Sequence, residues 1–169
     1  MNRIVHYKPE GPELHIDFSA VNISPVVGLE LKSTVRTAIE AALRYEEFYR
    51  DAEVSVTFCD NEHIRSLNAE FRGKDAPTDV LSFPIYEKGE AYSTPDVPVT
   101  LGDIVISTER AEIQAQEIGN TFLEEVSFLT VHSVLHLLGY DHETSKEDEN
   151  DMFARQREIV RLIKEGIEE

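Results

Sequence analysis

The chain contains 169 residues, and its 33 acidic and 16 basic side chains give a formal net charge of -17. This length is typical of one domain, so we expect a single domain over residues 1–169 with a core large enough to need no cross-links. The acidic excess excludes a protein that coats nucleic acid non-specifically, because such binding depends on Lys and Arg displacing counterions from phosphates.

The cysteine count and the hydropathy of the chain indicate a cytoplasmic protein. Cys59 is the single cysteine, so no disulfide can form within the chain and a reducing compartment is expected. Residues 1–9 lack the apolar core of a secretory signal. The most apolar stretch, residues 126–138, is interrupted by His132 and His136 and is too short to span a bilayer. We therefore expect no association with a membrane.

The first third of the chain has the pattern of a βαβ unit. Apolar and polar residues alternate in residues 14–18 and again in residues 54–58, which predicts two strands with one buried face each. Between them, apolar residues recur at helical spacing from Leu31 to Leu43. A helix between two strands favours a crossover, so the strands are expected to be parallel.

The middle of the chain predicts a short helix and an antiparallel pair of strands. Ile64, Leu67 and Phe71 mark an amphipathic helix that ends at Gly73. Residues 80–83 and 104–106 have the composition of strands, and residues 87–100 between them have no helical pattern. A pair of strands joined without a crossover helix is expected to be antiparallel.

Three further helices are predicted before the end of the chain. Ser107 or Thr108 can cap the first, whose apolar face carries Ala111, Ala115 and Ile118. Residues 121–124 have the form of a capping box, and the helix that begins there is apolar on nearly every side and should be interior.

The last helix should begin after Ser145, with Met152, Gln156, Ile159 and Ile163 on one face. These elements together predict an α+β (α/β-like) fold, with a four-stranded mixed sheet flanked by about five helices.

Three histidines in residues 132–142 have the spacing of a metal site. His132 and His136 are four residues apart on the predicted helix, so their side chains share one face. Gly139 can end that helix in the left-handed conformation and return the chain so that His142 reaches the same point. Three nitrogen ligands leave one or two coordination positions open, as in a catalytic rather than a structural zinc site.

The alternative is that these histidines are polar side chains that bind no ligand. We retain that interpretation for His6, His15 and His63, which lack the spacing. Burying two histidines without partners in so apolar a helix would be unfavourable. Metal binding is therefore the preferred hypothesis for the three histidines of residues 132–142.

The same spacing occurs in the metzincin zinc proteases, H-E-x-x-H-x-x-G-x-x-H. Those proteases use the glutamate to take a proton from the zinc-bound water, whereas this chain has Ser133, which cannot act as that base at neutral pH. We expect a metzincin-like metal site but not peptidase chemistry. A phosphodiester requires less, namely an ion that polarises oxygen or supplies hydroxide and a cation that holds the phosphate.

Candidate cations lie in the connection between the predicted helix and the strand at residue 80. Arg72 and Lys74 are found there, and an arginine fork matches two phosphate oxygens. The alternative is an ordinary exposed arginine paired with Glu70 or Asp75. The acidic residues in the range 143–151 are most simply a solvated start to the last helix, although carboxylates near a metal could tune it.

The chain resembles the YbeY family of bacterial metal-dependent endoribonucleases that act in ribosomal RNA maturation. The matching motifs are FRGKDAPTDVLSFP at residues 71–84, LGDIVIS at residues 101–107 and HSVLHLLGYDH at residues 132–142. With the order of the elements, they cover most of the chain after about residue 50. The first and third motifs are specific, and the middle one is supporting.

The resemblance implies a zinc-like ion, Zn2+ or another divalent transition metal, with one ion per chain on His132, His136 and His142. It implies that Arg72 is the arginine of the catalytic cleft and that the substrate is single-stranded RNA. It also implies a role in maturation of the 3' end of small-subunit ribosomal RNA and in ribosome quality control. The small ribosomal subunit or an assembly factor is the expected partner, because a chain of this charge should bind free RNA weakly.

Two other functions remain open at this stage. The protein could be a metal-containing, ribosome-associated binding protein without nuclease activity, an interpretation that the acidic composition mildly favours. It could also be a metalloprotease, although Ser133 argues against this.

Overall fold

A computed structural model of the protein describes residues 12–24, 28–87 and 97–166. Four strands and five helices lie within these residues, in the order predicted, which confirms the α+β class. They are β1 (Leu14–Val21), α1 (Leu29–Tyr45), β2 (Ala52–Cys59), α2 (Asn61–Arg72), β3 (Val80–Pro84), β4 (Val99–Ser107), α3 (Thr108–Ile118), α4 (Phe122–Leu137) and α5 (Lys146–Glu165).

The strands form one mixed sheet in the order β1-β2-β4-β3. β1 pairs with β2 and β2 with β4 in parallel, and β3 pairs with β4 in the antiparallel sense. The predicted parallel βαβ unit and the predicted antiparallel pair are both confirmed. β4 begins several residues earlier than the alternation of apolar residues suggested, because Val99 and Leu101 are also buried in the sheet.

The main core lies between one face of the sheet and the helices α1 and α4. Ile104 and Ile106 of β4 contribute to it, together with the fully buried Leu135 of α4. Successive side chains of a strand point to opposite faces, and Val105 accordingly joins a smaller cluster on the other face, with Leu81 and Ile64. Most side chains of α4 are therefore buried, as its composition predicted, and one part of its surface remains open to solvent.

Local signals set the ends of the helices. The side chain of Thr121 accepts a hydrogen bond from Glu124 N, and the Glu124 carboxylate accepts one from Thr121 N, which completes the capping box of α4. Ser107 caps α3 and Ser145 caps α5, as predicted. The predicted apolar face of α3 is only partly buried: Ala111 and Ala115 lie in the interior, whereas Ile118 in the last turn is exposed to solvent.

Gly102 allows β3 and β4 to pair closely. Its φ is +144°, and a Cβ at this position would lie 2.2 Å from Phe83 O on β3. It lies next to an irregularity in the register between β2 and β4. Among the described residues, no helix is both long and apolar enough to cross a membrane.

Candidate metal centre

α4 and the turn that follows it bring three histidines together. His132 and His136 lie one helical turn apart on α4, and Gly139, with φ +102°, lets the chain reverse towards His142. Each histidine offers one ring nitrogen that lies within 4.8 Å of the other two. The Nε2 atoms of His132 and His136 are 3.2 Å apart. The predicted cluster is thus present as one compact group that could hold a metal ion.

Gln156 on α5 fixes the tautomer of His132. The distance from His132 Nδ1 to Gln156 Oε1 is 2.8 Å, and Gln156 is buried. Because an amide oxygen only accepts, His132 Nδ1 must donate, and the lone pair of His132 is then on Nε2, the nitrogen that faces His136. A polar contact of this kind behind a metal-binding histidine orients the ligand and increases its basicity.

His142 is held by an aromatic side chain and has a buried nitrogen without a partner. Its ring stacks on Phe153 of α5, with the ring centroids 5.7 Å apart and the planes at 27°. His142 Nδ1 is buried and has no hydrogen-bond partner in the structure. A buried nitrogen left without a hydrogen bond is unfavourable. A metal ion bound to this nitrogen would remove the penalty. The unpartnered nitrogen and the two imidazoles beside it therefore form a set of donors that fits a metal ion.

Burial keeps the imidazoles of α4 uncharged. Burial lowers the pKa of His136 to about 4, and the charges of the neighbouring His132 and His142 contribute less to the same shift. Burial also lowers the pKa of His132. Both rings are therefore neutral at pH 7, and a metal ion would not have to displace a proton from either. Neutral imidazole nitrogens are the usual ligands of divalent transition metals.

The histidines lie in an open cleft with a volume of about 730 Å³. The end of α2, the strand β3, the helix α4 and the start of α5 contribute to its walls. Besides the histidines, the lining includes Phe71, Arg72, Asp79, Phe83, Phe128, Asp141, Glu143, Phe153 and Gln156. Ser133 is fully buried and is not part of the lining. No base therefore occupies the position where a metzincin has its glutamate.

Arg72 lines the cleft, but its partner differs from the ones considered from the sequence. Arg72 Nη2 lies 3.4 Å from Glu143 Oε2, and both side chains are partly exposed. Asp75 pairs with Arg65 instead, at 2.8 Å. Glu143 precedes α5 and lies at the cleft, so the acidic run is the start of that helix only from Glu147 onwards. The described lining of the cleft does not include Lys74.

A network of polar side chains behind the cleft was not predicted from the sequence. Gln114 Nε2 donates to Asp79 Oδ2 at 3.1 Å and to Glu125 Oε2 at 2.9 Å. Glu125 is only 2% exposed, and its burial raises the pKa of the carboxyl. The network joins α3, α4 and the residue before β3, so it positions the Asp79 carboxylate in the cleft wall. The one signal in the sequence for this network is Glu125, an acidic residue in the otherwise apolar α4.

Comparisons with known proteins agree with this fold and show the family. The class defined so far is a mixed α+β protein with a three-histidine cluster in an open cleft. A model of the family described as Endoribonuclease YbeY matches residues 21–164. The chain belongs to this family, as its motifs suggested.

Relatives in two genera are similar to almost the whole chain. A protein named Endoribonuclease YbeY from Geobacillus thermodenitrificans is 49% identical over 150 residues, which are 87% of this chain and 94% of that protein. A protein of the same name from Bacillus cereus (strain B4264) is 47% identical with the same coverage.

A solved structure has the same fold. The solution structure of TM1509 from Thermotoga maritima aligns with a TM-score of 0.56 at 31% identity, and it covers 85% of this chain and 86% of that one.

Proposed function

We propose that the protein is a metal-dependent endoribonuclease that cleaves single-stranded RNA. The observation that carries the proposal is the cluster of three histidine nitrogens, within 4.8 Å of one another, in an open cleft that Arg72 also lines. The similarity to proteins named endoribonuclease, at 47–49% identity over most of both chains, supports the same activity. Processing of the 3' end of small-subunit ribosomal RNA and ribosome quality control are the roles we propose for it.

His132, His136 and His142 would hold one ion per chain, and we propose Zn2+, which suits three imidazole ligands. Other divalent transition metals bind the same ligands. When bound, the ion supplies a Lewis acid for a phosphate oxygen or for the attacking hydroxyl. The protein contributes the fixed ligand geometry, in which Gln156 holds the ring of His132 at 2.8 Å.

Arg72 is the proposed catalytic cation of the cleft. Among the described lining residues it alone carries a permanent positive charge, while Asp79, Asp141 and Glu143 carry negative ones. Its guanidinium can donate two parallel hydrogen bonds to the oxygens of the scissile phosphate and balance the charge that develops during cleavage. To do so, the side chain leaves Glu143 and turns into the cleft.

The charge of the molecule favours delivery of the RNA by a partner. A net charge of -17 and three carboxylates in the cleft wall repel a polyanion, and one arginine offsets little of this. We propose that the small ribosomal subunit or an assembly factor, in the cytoplasm, presents the RNA strand to the cleft. Affinity for free RNA is then weak at physiological salt, and tight binding of free RNA would contradict this part of the proposal.

The test uses metal-loaded protein, a defined single-stranded RNA and a peptide library. We expect the protein to cleave the RNA but not the peptides, and to stop cleaving when a chelator is added. His136→Ala should lose both the metal and the cleavage. The matched control is His15→Ala, on the exposed side of β1, which should keep metal and activity. A folded His136→Ala protein that contains no metal and cleaves RNA at the normal rate would contradict the proposal.

The same assay separates the two alternatives. RNA that stays intact under all conditions, together with retained binding to ribosomal particles, would support a metal-containing binding protein. Cleavage of peptides that stops with the chelator would support a metalloprotease. Ser133, which is buried and outside the cleft lining, argues against the second outcome.

A further inference from the structure

Two phenylalanine rings are exposed in the cleft. Phe71 in the last turn of α2 is 59% exposed, and Phe128 on α4 is 38% exposed. Phe71 is one of the apolar residues whose spacing predicted α2, but its side chain is largely exposed. Of the exposed large apolar side chains that the structure describes, these two are the ones that line the cleft. Both rings therefore face the space that a substrate would fill.

The two rings lie next to the groups proposed to act on the phosphate. Phe128 precedes His132 by four residues on α4, so the two side chains share one face of the helix. Phe71 directly precedes Arg72. The ring of Phe71 packs edge-on against Phe83 of β3, with the centroids 5.3 Å apart, and this contact restrains its orientation.

We propose that Phe71 and Phe128 stack against unpaired bases on nucleotides that flank the scissile phosphate. The inference rests on the proposed function and names the residues that would give it a preference for single strands. An unpaired base has a free face that can stack on an aromatic ring, whereas the bases of a duplex are already stacked and paired. Exposed rings beside the metal ligands would thus favour single-stranded RNA.

Charge provides an independent argument for stacking. With the proposed divalent ion bound, the ion and the one permanent cation only balance the three carboxylates of the described lining, so electrostatic attraction cannot supply most of the affinity for RNA. Stacking supplies affinity without positive charge. An apolar protein segment would fit less well, because it would cover the guanidinium of Arg72 and the three imidazoles without pairing them. A nucleotide offers a phosphate to these groups and a base to the rings.

The test compares Phe71→Ala and Phe128→Ala with Phe128→Trp. The matched control is Tyr49→Ala, whose ring is 60% exposed and is not part of the cleft lining. The metal-loaded full chain is tested with one oligoribonucleotide in three forms: as a single strand, as a duplex, and as a single strand that carries the fluorescent base 2-aminopurine. The quenching of 2-aminopurine reports stacking of that base. Metal content and circular dichroism confirm that each variant is folded and loaded.

Each alanine variant should raise KM for the single strand by about 5- to 100-fold, with kcat changed much less. The ratio of single-strand to duplex cleavage should fall, and the quenching of 2-aminopurine on binding should be lost. Phe128→Trp keeps an aromatic ring, so it should keep the wild-type preference for single strands and the wild-type quenching. Tyr49→Ala should behave like the wild type. A purely structural role for the rings would not produce this split between KM and kcat.

The opposing outcomes are distinct from failure of the proposed function. If the wild type cleaves RNA and the alanine variants keep its KM and quenching, the stacking inference is wrong and the nuclease stands. If the variants bind RNA normally but no longer bind small ribosomal subunits, the rings serve to dock the protein on the subunit rather than to stack on the substrate bases, and the inference is also wrong. If the wild type does not cleave RNA, the nuclease proposal fails, while 2-aminopurine quenching still decides on stacking.

Discussion

At the scale of single residues, the side chain of Arg72 allows a direct test of charge in the cleft. Arg72→Ala removes the one permanent cation of the described lining, and we expect kcat/KM for single-stranded RNA to fall by about 100-fold. Arg72→Lys should recover part of the loss, because an ammonium keeps the charge but not the two-pronged geometry. Steady-state kinetics with metal-loaded protein gives both values.

The control for Arg72 is Arg157→Ala, an exposed arginine of α5 outside the cleft lining. It changes the net charge by the same amount and should leave kcat/KM within about twofold. Equal losses in the two variants would mean that total charge, rather than the position of Arg72, matters.

The buried Glu125 predicts a particular dependence of stability on pH. Because burial raises its pKa above the ordinary value of 4.5, the folded protein keeps this proton to higher pH than the unfolded chain does. The associated stability is complete below pH 4.5 and is lost as the pH rises through the folded-state pKa. Glu125→Gln should therefore gain stability relative to the wild type as the pH is raised from 4.5 to 7.

Urea unfolding at several pH values measures this difference. Glu124→Gln is the matched control, because the hydrogen bond from Thr121 N lowers the pKa of Glu124 and its contribution has the opposite sign. That variant should lose stability relative to the wild type as the pH rises. Parallel curves for all three proteins would show that Glu125 has the same pKa in the folded and unfolded states.

The residues of the site that could be predicted are those whose relation is local in sequence. One helix and one turn link His132, His136 and His142. The spacing of four residues identifies the helix, and the glycine after it identifies the turn. Gln156 and Glu143 could not be assigned in this way. Their contacts span 24 and 71 residues along the chain and depend on how α5 packs beside α4 and on where the end of α2 lies at the cleft.

At the scale of elements, the strands and helices were predictable because each has a clear period or cap. The alternation of apolar residues identified β1 and β2, and capping residues located the starts of α3, α4 and α5. The order of the strands in the sheet was not predictable from these signals. It places β4 between β2 and β3 and depends on long-range packing.

Gly102 tests the close pairing of β3 and β4. Gly102→Ala would place a Cβ 2.2 Å from Phe83 O and would force alanine to adopt φ +144°. We expect the free energy of unfolding to fall by at least about 2 kcal/mol, measured by urea denaturation. Gly28→Ala is the control, with φ -64° and no atom within 4 Å of the added Cβ, and it should cost less than about 1 kcal/mol.

Gln156 tests the contact by which α5 supports the histidines of α4. Gln156→Leu keeps a side chain of similar size but removes the acceptor for His132 Nδ1, so affinity for Zn2+ should fall by about 10- to 100-fold. Competition with a chromogenic chelator measures the affinity. Met152→Leu, another buried change on α5, perturbs packing alone and should bind Zn2+ normally. Equal affinity in Gln156→Leu and the wild type would contradict a supporting role.

At the scale of the whole molecule, metal binding should be coupled to folding. The ligands lie on α4 and the turn after it, and Gln156 links them to α5, so an ion bound there joins these elements in the folded state only. Zn2+ at a free concentration 100 times its Kd should raise the free energy of unfolding by about 2.7 kcal/mol.

Denaturant unfolding with and without chelator tests this coupling. The chelator should remove the gain in the wild type, and His136→Ala should not respond to Zn2+ at all. A wild-type protein whose stability is unaffected by saturating metal would mean that the ion binds the folded and unfolded chains equally.

The ion pair between Arg72 and Glu143 also affects which anions the cleft accepts. Glu143 belongs to the same chain, so its carboxylate faces Arg72 at an effective concentration in the millimolar range or above, and a dilute free anion must compete with it. Free phosphate and mononucleotides are therefore at a disadvantage at this arginine. A longer strand held at several points would lose its translational freedom once and would displace the carboxylate more readily, so under the proposed function the pair would favour polymers over free anions.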